Sequence, residues 1–104
     1  MNFLLNEEEL AFSNGIKALY FYAPWMPFHK KMLTMIGKIE EKYKQIQFLG
    51  IDTDHFRGLC KRFNVESIPC ILVLKDGFEV KRINGVIMTS AFRSFFADIC
   101  TPES

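Results

Sequence analysis

A continuous apolar run stands near the start of the chain. Residues 17–22 are apolar or aromatic after the first, and they are bounded by Gly15 and Pro24. A run without alternation and with breakers at both ends is typical of a strand that is buried on both faces. The pattern therefore predicts a central strand here. Residues 45–52 and 70–74 predict two further strands.

From Pro27 onward the apolar residues recur at intervals of three and four. They are Phe28, Met32, Met35, Ile36, Ile39 and Tyr43. Lysines and glutamates occupy the opposite face, so the pattern predicts an amphipathic helix. Pro27 suits the first turn, because its missing N–H has no intrahelical partner at that position. The helix is therefore predicted to begin within the segment 25–30.

Two later stripes predict shorter helices. The first is Phe56, Leu59, Cys60 and Phe63, and the second is Phe92, Phe95, Phe96 and Ile99. Ser90 is the predicted N-cap of the last helix, because its hydroxyl can accept from the first free backbone N–H groups. Pro102 is expected to end that helix, since proline cannot continue it.

The remaining elements follow from turn and capping signals. Residues 2–5 predict a short first strand, and Asn6 with Glu9 forms a capping-box pattern for a helix through about Phe12. Asp76-Gly77 is a hairpin signal, so residues 70–74 and 78–83 are predicted to pair antiparallel. The earlier alternation of strands and helices predicts parallel strands with covering helices.

Composition limits the class of protein. With 104 residues, 49% of them hydrophobic, the chain is expected to form one domain over residues 1–104. A net charge of +1 offers no electrostatic reason to expect nucleic acid or a membrane surface as partner. Three widely spaced cysteines and an acidic N-terminal segment without a basic start favour the cytoplasm. No apolar run approaches the roughly 18 residues of a membrane span.

Several spaced features of the sequence resemble one known family. They are the segments Tyr20-Phe21-Tyr22-Ala23-Pro24-Trp25, Ile51-Asp52-Thr53-Asp54 and Phe63-Asn64-Val65-Glu66-Ser67-Ile68-Pro69, together with Lys30, Asp76-Gly77 and Gly85. In this order they are similar to the thioredoxin family over roughly residues 2–100. The resemblance implies an α/β thioredoxin fold, in which a mixed sheet of four or five strands has helices on both faces.

The resemblance also implies a binding site. In the family, the proline that matches Pro69 is cis, precedes the fourth strand and faces the motif loop. The residue before it, here Ile68, offers backbone hydrogen bonds to an extended substrate segment. The implied peptide-binding groove contains Trp25, Met26, Pro27, Phe28, His29, Ile68, Pro69, Gly85 and Val86.

The chain departs from the family at the positions that carry the chemistry. Met26 stands where the family has its attacking cysteine, and His29 stands where it has the resolving cysteine. The buried acid of the family aligns with Tyr20, whose ordinary pKa near 10 makes it a poor base at neutral pH. Dithiol exchange needs a thiolate and a second thiol that resolves the mixed disulfide. We therefore expect a non-covalent binding module for a protein or peptide partner.

Other roles for these residues remain open from the sequence. Cys70 follows Pro69, so it is the candidate thiol of an oxidoreductase that uses an external thiol. A buried strand cysteine is the alternative for Cys70, and core packing is expected for Cys60. His29 is a candidate acid, base or ligand, against a polar position on the helix surface. No metal or other cofactor is expected, because no ligand spacing stands out.

The surroundings of the motif also admit two interpretations. Trp25, Met26, Pro27 and Phe28 form either an exposed apolar patch that contacts a partner, or a loop whose aromatic rings enter the core. In the second case only Met26 and Pro27 would stay outside. A structural accessory subunit is a third hypothesis for the whole chain. The sequence specifies neither the partner nor the oligomeric state.

Overall fold

The computed structural model describes residues 1–10 and 14–100. Within them lie five strands and three α-helices. The strands are β1 (Asn2–Phe3), β2 (Ile16–Tyr22), β3 (Ile46–Asp52), β4 (Cys70–Lys75) and β5 (Phe78–Asn84), and the helices are α1 (His29–Lys42), α2 (Arg57–Arg62) and α3 (Thr89–Cys100). The strands form one sheet in the order β1-β3-β2-β4-β5. β1, β3 and β2 are parallel, whereas β4 and β5 are antiparallel to their neighbours.

The predicted central position of β2 is confirmed. The strand pairs with β3 on one side and β4 on the other, so Tyr20 lies opposite both Gly50 and Ile71. All residues from 17 to 23 are buried. Because side chains alternate along a strand, Tyr20 and Tyr22 share one face of the sheet while Phe21 enters the other.

Each face of the sheet carries its own apolar core. On one face the buried residues of α1 and α3 pack together with Tyr20, Tyr22 and Met26. On the other face Leu59 of α2 packs with Phe21 and Cys70. The fold is therefore the expected mixed sheet with helices on both faces.

None of the helices in the described part of the chain is long and apolar enough to cross a membrane.

The first strand is shorter than predicted, and the element after it is described only in part. β1 ends at Phe3, although Leu4 N–H still donates to Gly50 O at 2.7 Å. The helix predicted after Asn6 is a single 3-10 turn over Glu7–Leu10, and its predicted extension to Phe12 lies outside the described residues. The capping contact is present, because the Glu9 carboxylate accepts from the N–H of Asn6 at 3.2 Å.

The start of α1 lies within the predicted segment 25–30, whereas the start of α3 differs from the prediction. α1 begins at His29 with Phe28 as its N-cap, because residues 23–29 form a turn before the regular helix. The prediction that Ser90 caps α3 is wrong. Phe92 N–H donates to Met88 O at 2.9 Å, so helical bonding already includes Thr89, and Ser90 lies inside the first turn. Pro102 lies outside the described residues.

Two glycines provide opposite tests of this packing. A Cβ on Gly50 would lie 2.7 Å from Phe3 Cδ1 and 3.4 Å from Tyr22 Cε1. We predict that Gly50→Ala lowers the free energy of unfolding by about 1–3 kcal/mol, because the aromatic rings must move. Gly37→Ala should instead raise it by roughly 0.5–1 kcal/mol, since a Cβ meets nothing within 4 Å in that helix. Urea unfolding of both variants measures this, and equal effects would contradict the packing.

Candidate functional site

The loop that joins β2 to α1 is folded as a tight turn. Met26 N–H donates to Ala23 O at 3.0 Å, and His29 N–H donates to Met26 O at 3.1 Å. Met26 is 6% exposed and packs in the core beneath α1 and α3. Trp25 and Phe28 are 71% and 50% exposed. The loop therefore presents its rings to solvent and buries its thioether.

Neither interpretation of this loop from the sequence is correct. Trp25 and Phe28 do not enter the core, and Met26 is not part of the exposed patch. The physical reason is the turn itself, which holds the Met26 backbone against the end of β2, where its side chain fills space in the core. Pro27 is exposed as expected.

Trp25 is exposed but anchored. Its indole Nε1–H donates to Asp54 Oδ2 at 3.2 Å. Asp54 lies in the loop after β3, where Asp54 N–H donates to Asp52 Oδ1 at 2.9 Å. The same loop is tied to β2, because Thr53 N–H and Oγ1–H both donate to Tyr22 O. The ring is therefore held in a defined place, which lowers the entropy lost on contact with a partner.

The proline loop reaches the same end of the sheet. The Ile68–Pro69 peptide bond is cis. Cys70 pairs with Phe21, so Pro69 lies beside the end of β2 where the motif loop begins. Gly85 N–H donates to Pro69 O at 2.8 Å, which brings Val86, 39% exposed, to this edge. Ile68 is half-buried and Pro69 is buried.

The backbone of Ile68 is unpaired. Within the described residues, neither its N–H nor its carbonyl has a hydrogen-bond partner. Such groups can accept pairing from another extended chain. A concavity of about 220 Å³ adjoins them, and it is lined by Thr53, Cys60, Val65, Glu66, Ser67 and Ile68. Sequence patterns did not indicate Thr53 and Glu66 as part of this region, because only the tertiary structure brings them beside Ile68.

His29 and Tyr20 form a pair that the sequence did not indicate. The Tyr20 hydroxyl lies 2.9 Å from His29 Nδ1. The imidazole also stacks on Tyr22, with ring centroids 4.6 Å apart and planes inclined by 7°. His29 is therefore neither a simple polar surface residue nor free at Nδ1. Its spacing from Tyr20 carried no recognisable signal, because the contact depends on how α1 packs on β2.

The electrostatics of this pair favour a neutral hydroxyl. Burial, and next the neighbouring Tyr22, raises the pKa of Tyr20 far above its ordinary value. Tyr20 is therefore protonated at neutral pH and donates to Nδ1 when the imidazole carries its proton on Nε2. Burial also raises the pKa of Tyr22, and the Asp52 carboxylate adds to that effect. Tyr20 consequently supplies no base near the motif.

The three cysteines are free thiols with little access to the motif. Cys70 is fully buried and packs on the face opposite Met26 and His29, as the packing alternative predicted. Burial raises the pKa of the Cys70 thiol, against a smaller opposing effect of Arg82. Cys60 and Cys100 are half-buried, and burial raises their pKa values as well. Raised pKa values leave less of the reactive thiolate at neutral pH.

Metal ligands do not converge in the described part of the chain. Among residues 1–10 and 14–100, no group of three His, Cys, Asp or Glu side chains is placed to hold a metal ion. His29 uses Nδ1 for Tyr20, and the His55 ring lies against Phe56 with centroids 6.4 Å apart. The described residues around the motif therefore offer the apolar surface of Trp25 and Phe28 and the unpaired backbone of Ile68.

The architecture defines the class of protein, because it is shared with thioredoxins of known structure. A mutant thioredoxin from Halobacterium salinarum superimposes with a TM-score of 0.88 at 18% identity, covering 99% of this chain and 93% of that one. Oxidised mitochondrial thioredoxin 3 from Saccharomyces cerevisiae gives 0.83 at 26% identity, with 94% of each chain covered. The fold is a thioredoxin fold.

The sequence comparison establishes the family. The profile of the family described as Thioredoxin matches residues 5–102, and the chain therefore belongs to the thioredoxin family. Thioredoxin-1 of Saccharomyces cerevisiae is 34% identical over 65 residues, which are 62% of this chain and 63% of that protein. Thioredoxin Asp f 28 of Aspergillus fumigatus is 28% identical over 74 residues, or 70% and 68% of the two chains. The aligned region thus spans about two thirds of these relatives.

The raised pKa of Tyr20 gives a pH-dependent prediction. The unfolded chain loses this proton near pH 10, whereas the folded chain retains it, so the free energy of unfolding should fall as the pH rises above about 10. Tyr20→Phe should remove part of that fall. At pH 7 the variant should lose about 1 kcal/mol with the hydrogen bond to His29. Urea unfolding at pH 8 and pH 11 tests both expectations, and an unchanged alkaline fall would contradict the assignment.

Proposed function

We propose that this thioredoxin-family protein binds an extended segment of a protein partner and performs no dithiol exchange. The observation that carries the proposal is the state of the two motif positions. Met26 is buried in the core, and His29 is hydrogen-bonded to Tyr20. Neither side chain can form or accept a disulfide, so binding is the property that the site retains.

Backbone pairing would supply a first part of the affinity. Ile68 offers an N–H and a carbonyl without a partner in the described residues, next to an open concavity. An extended peptide that pairs with these groups adds a short strand-like contact. Because backbone contacts are independent of sequence, they would bind many segments with similar strength.

Apolar contacts would supply selectivity. The groove that we propose consists of Trp25, Pro27, Phe28, Ile68, Pro69, Gly85 and Val86, with His29 at its base and Met26 as buried support. Exposed aromatic rings in a defined position are the residue types that dominate binding energy at protein interfaces. The Trp25 side chain is hydrogen-bonded to Asp54, so it would lose little conformational entropy when a partner binds.

The alternative is a thiol-disulfide oxidoreductase that works through Cys70 and an external thiol. It requires Cys70 to become accessible, although the side chain is fully buried and its thiol pKa is raised by burial. Cys60 lines the concavity beside Ile68, but burial raises the pKa of its thiol too. We also propose a cytoplasmic location, because three free thiols suit a reducing compartment.

Peptide selection tests the groove. Peptides selected from a displayed random library on the wild-type protein should bind the Trp25→Ala variant about tenfold more weakly or worse, a loss of about 1.4 kcal/mol. Phe78→Ala is the matched control, because Phe78 is 77% exposed against 71% for Trp25 but lies in the hairpin at the other end of the sheet. Equal affinities for Trp25→Ala and wild type would refute the groove.

Insulin reduction tests the absence of dithiol chemistry. We predict no turnover by the wild-type protein with dithiothreitol or glutathione as reductant, because its accessible surface offers no activated thiolate pair. Cys70→Ser should behave identically to wild type. Turnover by the wild-type protein that is lost in Cys70→Ser would establish the oxidoreductase alternative instead.

A further inference from the structure

A cavity of about 40 Å³ lies at the end of the sheet away from the motif loop. Two cationic side chains line it, Lys17 at the start of β2 and Arg62 at the end of α2. The backbones of Gly15 and Gly77 form another part of the wall. Since one water needs about 10–15 Å³ by this measure, the space admits a small polar head group.

Lys17 is unusual in its surroundings. It is 8% exposed and is the only buried charged residue within the described part of the chain. Its side chain forms no ion pair or hydrogen bond with any described residue. The carboxylate of Asp76 accepts from Gly15 N–H at 2.7 Å and does not pair with Lys17. An ammonium group in this position lacks the counter-charge that buried cations normally have.

The ammonium group of Lys17 keeps some contact with solvent-accessible space. No fully buried side-chain nitrogen or oxygen among the described residues lacks a hydrogen-bond partner. Because the Lys17 side chain has no partner among residues 1–10 and 14–100, its Nζ is not fully buried, and Lys17 is one of the residues that line the cavity. The aliphatic part of the side chain is buried, and its charged end is partly accessible.

Arg62 adds a second cation to the same opening. Its guanidinium carbon lies 5.3 Å from the centroid of the Phe63 ring, and Phe63 also lines the cavity. A guanidinium fork matches the two oxygens of a carboxylate. The rest of the lining is apolar and comes from Leu10, Phe63 and Leu74.

We propose that this cavity binds a small monocarboxylate with a short aliphatic tail. The carboxylate would pair with Lys17 and Arg62, and the tail would lie against Leu10, Phe63 and Leu74. A tailless dianion such as phosphate suits the site less well, because it must leave more hydration behind and has nothing to place on the apolar wall. The site is independent of the peptide groove, which lies at the opposite end of β2.

Titration with butyrate followed by amide NMR spectra tests the proposal. Butyrate should produce saturable shifts at the Gly15 and Gly77 amides, whereas butyramide and inorganic phosphate should not. Lys17→Met should weaken butyrate binding about tenfold or more. It should fold normally, because methionine keeps an unbranched apolar stem of similar length in the place of the buried lysine stem. Lys38→Met, an exposed lysine of α1, is the matched control and should bind as wild type does.

A second variant keeps the test decisive if Lys17→Met fails to fold. Arg62 is exposed at the end of a helix, so Arg62→Gln should fold normally and also weaken butyrate binding. Equal binding of butyramide or phosphate would overturn the proposal, as would the absence of saturable shifts with butyrate. Retained affinity in folded Lys17→Met and in Arg62→Gln would overturn it as well.

Discussion

The burial of β2 on both faces is the constraint on which the rest of the structure depends. Its backbone pairs with β3 on one side and β4 on the other. Its side chains alternate between the two apolar cores. The C-terminal end of β2 therefore lies beside Pro69 and close to the start of α1. The position of the strand end sets the position of the motif loop, and with it the position of the exposed rings of Trp25 and Phe28.

The pairing of Tyr20 with His29 joins the central strand to the start of α1. A buried tyrosine needs a partner for its hydroxyl, and the imidazole at the start of α1 provides one at 2.9 Å. The face of the same imidazole ring stacks on the ring of Tyr22. Tyr20 and His29 thus form a polar contact between sheet and helix, and the nearby rings of Trp25 and Phe28 stay exposed.

The two ends of β2 differ in chemistry. At the motif end, apolar rings and unpaired backbone surround a shallow concavity. At the other end, Lys17 brings a charge into an otherwise apolar strand, where α2 and the β4–β5 hairpin leave a small opening. Both features are departures from complete burial, and they lie at opposite ends of β2.

Sequence alone determined the order of the elements, the central place of β2 and the family, because apolar periodicity and turn residues are local signals. The start of α3 was misjudged, since helix ends depend on single hydrogen bonds such as that from Phe92 N–H to Met88 O. The tertiary structure alone decided that Met26 is buried while Trp25 is exposed, that Tyr20 is hydrogen-bonded to His29, and that Lys17 lines a cavity. These contacts join residues from different elements, and their geometry arises only when helices and sheet pack together.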